Sequence, residues 1–113
     1  SQAARAPVLE SRDRIDESSA AWQKADEFDR HHRKYGFRAA RVFLEHEHWA
    51  GAVPVLQKLV DRFPYDVAML RELGLAQFHA GQLADAEETL VLYQGRNPDD
   101  STVNAAVLEM QSR

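Results

Sequence analysis

From Val8 to about His32 the chain is dense in charge and carries only a narrow apolar stripe. Ile15, Ser19 and Trp22 stand four and three residues apart, with Leu9 and Phe28 extending the row loosely. That spacing predicts an amphipathic helix, too thinly apolar to fold alone, so it must pack on later helices or on another chain. Ahead of it, Ser1–Pro7 has little to bury and reads as a loose leader. Further on, Leu70, Leu73, Gly74 and Gln77 share one helical face, and Leu83, Ala86, Leu90 and Tyr93 share the next. Gly81 lies between the two and suits a helix C-terminus, because glycine takes positive φ without strain. Gly95 and Pro98 close the second helix. The side-chain oxygens of Asp99, Asp100 and Ser101 can cap a final helix over Thr102–Gln111, and Asp66 does the same for the helix before Gly81.

Shifting the chain by 34 residues lays Trp49 on Leu83, Ala52 on Ala86, Leu56 on Leu90, Arg62 on Arg96, Pro64 on Pro98 and Asp66 on Asp100. Upstream, Ala39-Ala40 falls on Leu73-Gly74. A fixed period without gaps marks a repeat architecture. The units are 33–66 and 67–100, each a pair of helices, flanked by the helix over 8–32 and a capping helix over 101–113.

These residues resemble the tetratricopeptide repeat family, whose 34-residue helix–turn–helix carries W-x2-L-G-x2-Y, A-x3-F and P. The second unit offers Leu70, Leu73-Gly74, Ala86-x3-Leu90 and Pro98, and the first offers Phe43, Ala52-x3-Leu56 and Pro64. The small residues let helices approach closely, and the prolines end the second helix of each pair. The chain departs from the pattern in four places. Gly36 stands where an aromatic is common, and Gln77 replaces the tyrosine. Glu47 holds the place of Gly81, and Pro54 falls where it either delays or kinks the first unit's second helix. The resemblance implies an all-α fold, a short right-handed stack of two helix pairs with a helix on each side.

Composition narrows the function classes. The 113 residues suit one small domain. With no cysteine, a disulfide framework, a thiolate zinc site and a cysteine nucleophile are excluded, while cytoplasm and periplasm stay equally open. A formal charge of −4 gives no general pull toward nucleic acid. No apolar run nears the roughly 20 residues of a bilayer span, and no signal peptide is visible. The chain opens on Ser1 rather than methionine, which points to a piece of a longer protein.

The stretch FLEHEHWAGAVPVL, Phe43–Leu56, raises the question of a metal. His46 and His48 are two apart and would diverge by about 160° on a helix, whereas zinc-binding helices space histidines three or four apart. In the repeat register His46, Glu47 and His48 fall in the turn between paired helices, with Trp49 anchoring the next. His31 and His32 are adjacent and share no face; they read as a helix end. Phosphate-loop, dinucleotide and nucleophile-elbow motifs are missing. No enzyme, metal or cofactor is expected.

The resemblance implies instead a concave groove, lined by the first helix of each pair, that takes an extended peptide or a helix of a partner protein. The candidates are Lys34, Phe37, Arg38, Arg41 and Leu44 in the first unit and Arg71, Leu75, Phe78 and His79 in the second. Arg41 and Arg71 together would clamp a carboxylate. Arg41 and Leu75 stand where relatives that grip a C-terminal carboxylate carry asparagines, which argues against that activity. The alternative is an assembly module, a homodimer held by Ile15 and Trp22 of the first helix.

Overall fold

A computed structural model describes residues 7–29 and 33–113, with side chains from residue 12 onward. Most of the expected leader, and the His31–His32 pair, lie outside the described residues. The described residues are all-α, with six helices: α1 (Pro7–Phe28), α2 (Lys34–Glu45), α3 (Trp49–Arg62), α4 (Val67–His79), α5 (Leu83–Arg96) and α6 (Ser101–Gln111). They form two compact units, Ser1–His48 and Trp49–Arg113.

In the first unit α1 packs on α2. Gly36, Ala39, Ala40 and Phe43 recur at helical spacing and form the buried face of α2. Ser19 is fully buried in α1. Its hydroxyl would be costly there without a partner, and it donates to the carbonyl of Ala39 at 2.9 Å. Gln23 Nε2 in turn donates to Ser19 Oγ at 3.2 Å. Helix α1 stops at Phe28 rather than near His32, and Asp29 has already left it. Its end keeps the period, since α1, α3 and α5 finish at Phe28, Arg62 and Arg96. Its burial does not, because the register with Ala52 and Ala86 selects Ser18, yet Ser18 is exposed and Ser19 is buried.

In the second unit α3 packs on α4, α4 on α5 and α6, and α5 on α6. The buried faces are Ala52, Val55, Leu56 and Leu59 of α3, Ala86, Leu90 and Tyr93 of α5, and Val103, Ala106, Val107 and Met110 of α6, closed around α4. At Gly74 the two helices lie close: a Cβ there would lie 2.7 Å from Leu90 Cγ, so any side chain would force the buried Leu90 to shift. Asp66 and Asp100 cap α4 and α6, accepting the backbone N–H of Met69 at 3.2 Å and of Val103 at 3.3 Å. Gly81 has φ 82, the left-handed conformation its helix end requires. Pro54 sits inside α3 and does not delay it; the helix starts at Trp49 and runs through the proline.

Candidate functional site

The partner-facing candidates lie on α2 in the first unit and on α4 in the second. On α2 the buried face turns the remaining positions outward: Lys34, Arg38 and Arg41 are exposed, and Phe37 and Leu44 are half-buried. Arg41 donates from Nε and Nη2 to Glu45 Oε1, one turn on, at 3.3 Å each. Both side chains are more than half exposed, 57% and 59%. Such a pair adds little stability, and Arg41 can exchange it for another carboxylate. Arg38 is more committed, its guanidinium lying 5.5 Å from the centre of the Trp22 ring in a cation–π contact. Trp22 itself stacks on Tyr35 at 5.9 Å with 20° between planes. The two expected self-association anchors, Ile15 and Trp22, are both half-buried, and Trp22 is covered by residues of its own chain.

On α4, Leu75 and Phe78 are half-buried and His79 is exposed. The His79 ring lies face to face with Trp49 at 4.6 Å and edge-on to Phe78 at 5.3 Å. Three rings thus gather where α4 ends and α3 begins, and stacking of this kind adds to what burial alone supplies.

Arg71 is bonded within its own unit. Its Nε donates to Asp100 Oδ2 at 2.7 Å and its Nη1 to Glu72 Oε1 at 3.3 Å. Tyr93 Oη donates to the same Oδ2 at 2.8 Å and accepts from Asn97 Nδ2 at 2.9 Å. The hydrogen bond from Arg71 is the main reason the Asp100 carboxyl is held down to about 2; those from Tyr93 and the Val103 N–H assist, against its burial. The bond to Asp100 raises Arg71 in return. Tyr93 is raised chiefly by burial and then by the proton it donates to Asp100. Arg71 is therefore a fastener between α4 and the start of α6. The expected carboxylate clamp pairs it with Arg41; here its Nε and Nη1 are engaged by two carboxylates of its own unit.

The polar corner is a turn. Residues His46–His48 connect α2 to the start of α3, and Glu47 takes φ 55. His46 Nδ1 lies 2.8 Å from the Val42 carbonyl, while the His48 ring tilts against Phe43 at 5.4 Å. The two imidazoles are engaged with different neighbours. Among the described residues no three His, Asp or Glu side chains are grouped to hold a metal, and no helix is long and apolar enough to cross a membrane.

The Tetratricopeptide repeat family model matches residues 37–101, more than half of the chain. The chain belongs to the tetratricopeptide repeat family. Repeats of this family generally mediate protein–protein interaction, and the family is typically a non-enzymatic module. No curated protein and no solved structure matches the chain. Within the family's pattern, Gly74 against Leu90 and the paired caps Asp66 and Asp100 fall where the repeat needs them. The Arg71–Asp100–Tyr93 group is not part of the family signature quoted above. Its members lie 29 and 7 residues apart, a spacing that matches no linear motif, so only the packing of α4, α5 and α6 reveals it.

Proposed function

We infer that this tetratricopeptide repeat protein is a non-enzymatic adaptor. The outward face of α4 in the second unit, and that of α2 in the first, each offer a surface for an extended peptide or a helix of a partner protein. The reading is carried by the ring cluster at the end of α4 and the start of α3, where Trp49, Phe78 and His79 are grouped one turn on from Leu75 and left partly open to solvent. Partly uncovered aromatic groups of this kind supply most of the energy at protein interfaces. On α2, Phe37 and Leu44 accompany Lys34 and the exchangeable Arg41, so apolar side chains and a carboxylate of the partner are both provided for. Arg71 is left out because it holds α4 to α6. Self-association through Ile15 and Trp22 has less support, since Trp22 already stacks within its own chain.

The test is a pull-down from source lysate comparing the natural chain with an Arg41→Glu/His79→Ala variant. Both positions are exposed, so circular dichroism stays unchanged. A partner held by the natural chain falls by roughly tenfold or more in the variant, the usual effect of losing interface anchors. Equal capture by both proteins would move the working surface elsewhere, to α1 first.

A further inference from the structure

The second unit has another concavity, on a different side of α4. A cleft of about 300 Å³ lies between α3, α4 and α5. Its α4 residues are Leu70, Leu73 and Gln77, centred roughly 130° around the helix from Arg71, Leu75 and Phe78, at 100° per residue. The cleft is thus separate from the surface proposed above.

Its two ends differ in chemistry. Helices joined by short connections run antiparallel, and the Trp49–His79 stack and the Gly74–Leu90 approach fix the pairing. Val60 of α3 and Leu92 of α5 therefore lie toward the Leu70 end. Asp85 and Glu88, one turn apart on α5, lie toward the Gln77 end. Both carboxylates are exposed. Neither is engaged by any Lys or Arg among the described residues.

Gln77 supplies the independent observation. It is only 4% exposed, and its side-chain Oε1 has no hydrogen-bond donor. A buried acceptor without a donor is disfavoured; Gln77 lines the cleft while this oxygen is closed off from it, and turning the amide outward brings it within reach of a donor. It also stands where the family pattern carries a tyrosine, and a smaller side chain there leaves room beside Leu73.

We propose that this cleft binds a lysine side chain of a partner protein. The four methylenes lie over Leu70, Leu73 and Leu92, as long basic side chains do on apolar surface. The ammonium, with three donors and no acceptor, meets the carboxylates of Asp85 and Glu88 and, once the Gln77 amide turns outward, its oxygen. Lysine suits the site because its compact head can take acceptors from several directions at one end of the cleft, whereas a planar guanidinium prefers one bidentate partner. The inference shares with the preceding section only that the partner is a protein.

The experiment follows backbone amide shifts of the full chain during titration with Nα-acetyl-lysine amide. Nα-acetyl-norleucine amide, which keeps the stem and drops the ammonium, is the control, and the arginine analogue tests head shape. Saturable shifts confined to the cleft walls on α3, α4 and α5, with a dissociation constant on the order of millimolar, are expected for so small a probe. Asp85→Asn/Glu88→Gln weakens binding about tenfold, the share of charge-assisted hydrogen bonds. Gln77→Leu, a substitution of similar size, weakens it without loss of helix content. Should Gln77→Leu unfold the protein, the Asp85/Glu88 variant decides alone, since both positions are exposed. Equal binding of the norleucine analogue, insensitivity to the Asp85/Glu88 change, or no saturable shift at tens of millimolar each overturns the proposal. A stronger response to the arginine analogue overturns the choice of lysine. All variants leave Arg41, Phe78 and His79 intact, so this result and the pull-down fail independently.

Discussion

Glu47 and Gly81 occupy the same place one period apart, and both have positive φ, 55 and 82. Glycine accepts that backbone freely, while an L side chain is disfavoured there by roughly 1–2 kcal/mol. Part of the gain from a glycine is returned as chain entropy. Glu47→Gly should therefore stabilise the protein by about 0.5–1 kcal/mol, read as a higher urea midpoint at unchanged slope. Asp100 gives the opposite kind of residue, one whose chemistry is fully engaged. Its carboxyl is lowered from 3.8 to about 2 in the folded chain. Its contribution is complete above about pH 4 and fades as pH falls toward 2, because protonation then favours the unfolded state. Asp100→Asn should cost on the order of 2 kcal/mol near neutral pH. Urea midpoints measured across that range should show a shallower acid limb in the variant than in the natural chain.

At the scale of the helix, Pro54 is the clearest departure from local preference. It lies in the sixth position of α3, where it withholds the N–H that would bond to the Ala50 carbonyl. It is exposed, so no packing compensates. Pro54→Ala should raise stability by about 1–3 kcal/mol, checked by thermal melting, and a loss of stability would show that the ring is needed by its neighbours. The elements themselves were largely legible in the sequence, because their ends are made by local chemistry: Asp66 and Asp100 as caps, Gly81 as a left-handed turn, Pro64 and Pro98 as stops. Where no such residue stands, the reading slipped. Nothing in the sequence stops α1 at Phe28, and which of Ser18 and Ser19 turns inward depends on how α1 lies on α2. The role of Arg71 was hidden for a related reason. A repeat register tells which face a residue occupies, and only packing brings Asp100 to it. Gln77 was visible as a departure from the family pattern, but its missing hydrogen-bond donor became apparent only once α3 and α5 closed over it.

At the scale of the whole molecule, stability in a repeat protein is built from neighbouring contacts, so it follows the number of neighbours each helix has. Helix α4 packs on α3, α5 and α6, and its Met69, Leu70, Leu73, Gly74, Ala76 and Gln77 are all buried. Its amides should exchange with solvent most slowly of any in the second unit, with those of α6 faster; the reverse order in a hydrogen-exchange experiment would overturn that ranking. The aromatic stacks carry a different consequence. The chain has two tryptophans, and they are divided between the units: Trp22 against Tyr35 in the first, Trp49 against His79 in the second. Indole emission depends on what the ring touches, so each unit carries its own optical probe. With one tryptophan changed to phenylalanine, the light that remains reports on a single unit, and the two halves of the molecule can be followed separately without attaching a label.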